Sequence, residues 1–69
     1  MSTFKERLLV EKQELDEKRT KLSSFIGSEP YQGIDPIQMS LLNIQICAMD
    51  TYSQCLLERI AYLEKEVSN

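Results

Sequence analysis

The chain reads as an all-α protein, a two-helix antiparallel hairpin that assembles into a helical-bundle homo-oligomer. Three observations predict this. Two helix starts are written in strong capping signals, and no stretch shows the two-residue alternation of a strand. One short segment carrying both glycines and Pro30 separates the two predicted helices. Finally, Ile37 to Leu63 is apolar around more of its circumference than one partner helix can cover.

The first start is Thr3-Phe-Lys-Glu6. The Thr3 hydroxyl is placed to accept from the amide of Glu6 while the Glu6 side chain reaches back, a capping box. The body that follows is rich in Glu, Lys and Leu, with Glu14–Lys18 and Glu17–Lys21 at the favourable four-residue offset. Gly27 offers a residue free to turn left-handed at the end, and Pro30 forbids continuation. The second start is Asp35-Pro36: an acceptor at the cap, then a proline where its missing N–H costs nothing. Gln38 fits a second capping box, and Ile34 and Met39 are spaced for a hydrophobic staple. The spacing predicts helices over 3–26 and 36–66 with a linker over 27–35, all in a single domain over 1–69.

With about 100° per residue, Leu42, Met49, Leu56, Ile60 and Leu63 of the second helix share one line. Ile37, Ile44, Ala48 and Cys55 flank it on one side, and Met39, Ile46 and Leu57 on the other. Such a face is roughly twice the width that serves a helix with one core to meet. The surplus needs a second copy or another protein, and Leu42, Ile46, Met49, Leu56, Ile60 and Leu63 are the expected oligomer interface. The first helix has a narrower seam of Phe4, Leu8, Leu15, Leu22 and Phe25, interrupted by Glu11 and Lys18. Gln38, Gln45, Tyr52 and Arg59 interrupt the second. Folding about residue 31 sets Lys18 opposite Gln45, Glu11 near Tyr52 and Phe4 near Arg59. Buried polar groups are costly unless paired, so these residues pair, face water or meet a ligand.

Composition removes several classes of function. The net charge of −3 over 69 residues argues against a general binder of polymeric nucleic acid. The basic residues are uneven, however: six of eight lie in the first 21 positions, and none falls between Leu22 and Leu57. Any anionic ligand draws its cations from the first helix, with Arg59 and Lys65 as the other donors. There is no His, and two cysteines, Cys47 and Cys55, lie too far apart along a helix to bridge within one chain. No metal, no cofactor and no catalysis are expected, since no nucleophile–base constellation or phosphate loop is present. The opening residues do not form a signal peptide and no apolar run approaches membrane-spanning length, so the expected compartment is the cytoplasm.

The candidate ligand contacts are Lys18, Arg19, Tyr31, Gln45, Tyr52 and Arg59: cations for phosphates, aromatic faces for bases, an amide for base edges. Four of them have a structural alternative. Lys18 and Gln45 also suit polar seam residues that fix register, Arg19 suits a solvated face, and Tyr31 suits a ring folded over the hairpin end.

The order Glu6-Arg7-Leu8, Leu15, Lys18, Leu22, Phe25, Gln38, Leu41-Leu42, Gln45, Met49, Tyr52, Leu56, Arg59-Ile60, Leu63 resembles a group of very small helical-hairpin proteins of tailed bacteriophages, some from crAss-like phages. In size, helical character and expected assembly the chain is also similar to phage sponges of the anti-CBASS type. That resemblance implies a counter-defence protein of the infected bacterial cytoplasm that binds and holds a cyclic di- or trinucleotide alarm signal without cleaving it. The competing reading is a protein-interaction module whose apolar helix face docks on a host or phage protein to inhibit or scaffold it. A ligand-free structural oligomer is the third.

Overall fold

A computed structural model describes residues 3–68 as helical throughout, apart from short connections. Helix α1 is Phe4–Ile26, a 3-10 turn follows at Pro30–Gly33, and helix α2 is Pro36–Ser68. No strand occurs among the described residues. Met1, Ser2 and Asn69, which the expected domain includes, lie outside them.

Both helix starts rest on their cap side chains. The Glu6 amide donates to Thr3 Oγ1 at 3.1 Å, and the Ile37 amide donates to Asp35 Oδ1 at 2.7 Å. Each bond satisfies one of the donors that a helix N-terminus leaves without an intrahelical partner. The end of α1 differs from expectation. Gly27 has φ −84° and ψ 4°, and no glycine has positive φ. The helix closes instead by tightening: the Gly27 amide donates to Ser23 O at 3.1 Å and the Ser28 amide to Phe25 O at 3.0 Å, the second a three-residue step. The linker also holds more structure than a plain connection. The Gln32 amide donates to Glu29 O at 3.0 Å and the Ile34 amide to Tyr31 O at 3.3 Å, winding the turn that Pro30 begins.

That turn folds Tyr31 over the closed, linker end of the hairpin, where it is buried. Its ring meets Phe25 edge-on at 6.0 Å between centroids. Its hydroxyl accepts from Asn43 Nδ2 at 2.8 Å and lies 3.4 Å from Met39 O. The ring therefore ties the last turn of α1 to the first turns of α2, and the edge-to-face geometry is the one aromatic quadrupoles favour.

The helices run antiparallel in a rod 52 Å long. Lys5 pairs with Glu64, and Arg19 with Asp50, while Ser53 Oγ donates to Asp16 Oδ1. All three fold the chain about a point between Ile34 and Asp35, further along than the expected residue 31, because the 3-10 turn takes up extra chain. The core is small. Leu8 and Leu15 of α1 close on Leu56 and Ile60 of α2, with Met49 and Leu63 packed against them. Among the described residues only Leu56 is completely covered.

Two substitutions test these local assignments. Asp35→Ala removes the acceptor for the Ile37 amide and is expected to cost about 1 kcal/mol, read as a lower melting temperature. Gly27→Ala is expected to raise stability by about 0.4–1 kcal/mol. A Cβ there would meet only Ser23 O at 3.7 Å and Ser24 O at 3.9 Å, ordinary contacts. A loss of stability on Gly27→Ala would mean that this glycine turns left-handed after all.

Candidate functional site

The two edges of the hairpin are chemically unlike. On one, charged groups are matched across and along the helices: Lys5 Nζ to Glu64 at 3.2 Å, Lys12 Nζ to Asp16 at 2.7 Å, and Arg19 to Asp50 at 2.9 Å. Asp16 sits at the middle of this edge, accepting from Lys12 and, at 2.6 Å, from Ser53 Oγ. Those two hydrogen bonds, Lys12 first, hold its carboxyl below the ordinary aspartate value of 3.8, helped by the charges of Lys12 and Arg19 and opposed by partial desolvation. Glu14–Lys18 and Glu17–Lys21, expected as ion pairs within α1, are not among the pairs of the described residues. Lys12–Asp16 fills that role.

The other edge is open. The Arg59 guanidinium lies 5.7 Å from the centre of the Phe4 ring, a cation over an aromatic face and the contact that the fold about residue 31 anticipates. Helical spacing carries this edge along both elements. On α1 it runs Phe4, Glu11, Lys18; on α2 it runs Arg59, Tyr52, Gln45, Gln38. All of these are exposed, and Lys18 has no ion-pair partner among the described residues. Phe4, Leu8, Cys55, Glu58, Arg59, Tyr62 and Leu63 line an open groove of about 460 Å³ at its lower end. A second, broader depression along Leu9, Gln13, Glu17 and Thr20 is built by α1 alone, so nothing faces it.

The six candidate ligand residues are thereby divided. Lys18, Gln45, Tyr52 and Arg59 share the open edge. Arg19, although adjacent to Lys18 in sequence, points to the opposite edge and is ion-paired. Tyr31 is buried at the hairpin end, so its ring is not an open platform for a base. The structure adds Phe4 and Tyr62, which the sequence reading did not name as contacts; the pairing of Phe4 with Arg59 was the signal that pointed to them.

The expected interface residues are also divided. Leu56 and Ile60 are covered by α1 of their own chain, Met49 and Leu63 pack beside them, and Leu42 and Ile46 are half-buried. Apolar side chains are left bare on α1, at Phe4, Leu9 and Val10, and at Leu57 of α2, but the largest share lies on one flank of α2. Ile37 is 69% exposed, Ile44 64% and Tyr62 65%, with Leu41 and Tyr52 about half exposed. Ile37, Leu41, Ile44 and Tyr62 form a stripe with Ala48 and Cys55 down α2, next to the open edge that Tyr52 belongs to.

Among the described residues no cluster of three or more His, Cys, Asp or Glu side chains is arranged to hold a metal ion, and no helix is long and apolar enough to cross a membrane. Compared with known proteins, the chain matches the model of the family described as Sequestin over residues 2–62. It belongs to that family. The family's name points to a sequestering, non-catalytic role in which a ligand is bound. No curated protein and no solved structure matches it.

The ion-paired edge gives stability a defined pH dependence. A carboxyl whose pKa is lowered by folding stabilises the native state above its unfolded pKa, and that contribution fades as pH falls through the lower folded value. Asp16→Asn is expected to lower the melting temperature at pH 7, with the gap to wild type closing below about pH 3.8. A constant gap from pH 7 to pH 2 would show that Asp16 acts by packing alone.

Proposed function

We propose that this member of the Sequestin family is a bacteriophage counter-defence protein of the infected bacterial cytoplasm. In this reading it assembles into a homo-oligomer that binds cyclic di- or trinucleotide signals and holds them intact, the anti-CBASS type of evasion. The carrying observation is the open edge. It offers a lysine with no ion-pair partner among the described residues, an arginine beside an aromatic ring, an exposed tyrosine and an exposed amide in one line. Phosphodiesters need the cations, planar bases need the ring faces, and base edges need the amide. Holding a ligand needs affinity alone, so the lack of a nucleophile–base pair is no obstacle.

The bare stripe on α2 favours a second reading, a protein-interaction module that docks this face on a host or phage protein. Exposed apolar surface of this continuity marks interaction sites in soluble proteins. Both readings give the apolar face a partner, but only the first requires the polar edge.

Calorimetry against a panel of cyclic di- and trinucleotides separates them. Binding by at least one, with the nucleotide recovered intact after the protein is digested, is the expected result. Arg59→Ala and Lys18→Ala are each expected to weaken it about tenfold or more, the cost of losing a hydrogen bond to a charged group. Arg19→Ala is expected to change stability and not affinity, because its partner is Asp50. No binding across the whole panel would shift the assignment to the interaction module, and a cleaved nucleotide would end the sequestration reading.

A further inference from the structure

The bare stripe of α2 has an internal order. Ile37, Leu41, Ile44, Ala48, Thr51, Cys55, Glu58 and Tyr62 are spaced alternately four and three residues apart, the seam spacing of a coiled coil. α1 does not cover it. Laid antiparallel on itself about a twofold between Met49 and Asp50, the stripe is self-complementary. Ile37 meets Tyr62 of the second copy, Ile44 meets Cys55, Ala48 meets Thr51, and Leu41 meets Glu58. The small residues fall at the centre, where the backbones approach most closely, and the large ones at the ends.

Charge selects this direction. A parallel pairing would set the two Glu58 carboxylates side by side, whereas the antiparallel one parts them by about 25 Å. One flank, Ser40, Cys47, Gln54 and Ala61, carries no charge; the other, Gln38, Gln45, Tyr52 and Arg59, carries only Arg59, about 28 Å from its counterpart, so no like-charge pair opposes the contact. A second copy of this chain therefore fits the stripe by both shape order and charge.

That contact changes the open edge. On α2 the stripe and the line facing α1 lie about 120° apart, as helical spacing from Ile37 to Leu42 and Leu56 gives. With interaxial distances of 8–10 Å, the two α1 helices of such a dimer stand about 16–20 Å apart on the same side of the paired α2 helices. Between them runs a trough. Its floor is the line Gln38, Gln45, Tyr52, Arg59 from both copies, and Lys18 projects from each wall. Tyr52 lies about 4 Å and Gln45 about 7 Å along the axis from the twofold. By the register of the Lys5–Glu64, Arg19–Asp50 and Asp16–Ser53 pairs, Lys18 stands level with Thr51, close to the twofold, and not opposite Gln45 as the fold about residue 31 would set it. Arg59 lies about 14 Å out, toward the ends.

We propose that two copies dock antiparallel through this α2 stripe, and that the trough they enclose is a single twofold-symmetric site for a cyclic dinucleotide, whose two phosphodiesters and two bases repeat about the same axis. This rests on the sequestering reading for its ligand and not for its assembly. Half of every contact set comes from the partner copy, so one hairpin holds half a site.

The docking arm of the test needs no ligand. In a Cys47→Ser background, Ile44→Cys is expected to form a disulfide-linked dimer with Cys55 of the second copy under mild oxidation, since those positions face each other. Leu57→Cys in the same background, on the opposite flank of α2, is expected to stay unlinked. The wild-type Cys55 residues, about 16 Å apart along the axis, are expected not to link. Folding of each variant is read from helical circular dichroism. A folded Ile44→Cys variant that links no more than the Leu57→Cys control overturns the docking, as does a monomer in light scattering of the wild type.

The ligand arm uses cyclic di-AMP, cyclic di-GMP, cyclic GMP–AMP and cyclic triadenylate. One dinucleotide bound per two chains, with Tyr52→Ala and Lys18→Ala each lowering affinity about tenfold or more while the dimer persists, is expected. One ligand per chain overturns the shared trough while leaving sequestration standing. Linked dimers that bind only the trinucleotide overturn the dinucleotide assignment. Linked dimers that bind none of the four leave the docking standing and remove the sequestering reading with the ligand.

Discussion

Helix α1 offers one apolar line and α2 offers two, and most of the structure follows from that mismatch. α1 covers Leu56, Ile60 and their neighbours, and has no second line with which to wrap the flank of α2. The resulting core is four buried side chains with Met49 and Leu63 at its margin, slight for a chain near the size where a single core is marginal. Tyr31 strengthens the closed end by joining three elements through one ring and one hydroxyl. The rest of the rod depends on polar matching along one edge. A hairpin built this way has its strongest reason to associate written on the surface it fails to bury.

The matched edge also explains why the other edge is open. Lys5, Lys12 and Arg19 fall on the side where Glu64, Asp16 and Asp50 await them, so half of the α1 cations are committed to holding the register. These are partly exposed pairs, individually worth little. Their effect is collective, since they and the Asp16–Ser53 bond agree on a single antiparallel alignment. Lys18 is one residue from Arg19 and so about 100° around the helix, enough to carry it from the matched edge to the open one.

Local signals were the legible part of the sequence. Thr3 and Asp35-Pro36 mark helix starts because capping involves atoms within three residues of each other; both cap acceptors are engaged, while the reciprocal bonds of Glu6 and Gln38 that a capping box adds are not among those of the described residues. Gly27 misled for an equally local reason: glycine permits a left-handed residue without requiring one, and a three-residue hydrogen bond closed the helix first. The register was less legible, because the length consumed by the linker depends on whether Pro30–Gly33 winds into a turn. That uncertainty of a few residues decides which cations are paired. It hid the division between Lys18 and Arg19, and the burial of Tyr31, from any reading of residue types alone. Periodicity showed that α2 is too apolar for one partner, but not which of its lines α1 would take.

The charge balance sets what kind of affinity the open edge can have. The chain is net negative, so long-range attraction does not steer an anionic ligand toward it. On the edge itself Lys18 and Arg59 stand near Glu11 and Glu58, which offset part of their field. Doubling by symmetry doubles both signs together and so does not improve the balance. What the proposed dimer would add without opposition is Tyr52 and Gln45, drawn together from two copies near the axis. Stacking and amide recognition are short-ranged and survive salt better than exposed charge pairs do. A sequestering site on this frame would thus owe its selectivity to the bases and its register to the phosphates, a division of labour that the placement of the aromatic and cationic side chains along the edge already prescribes.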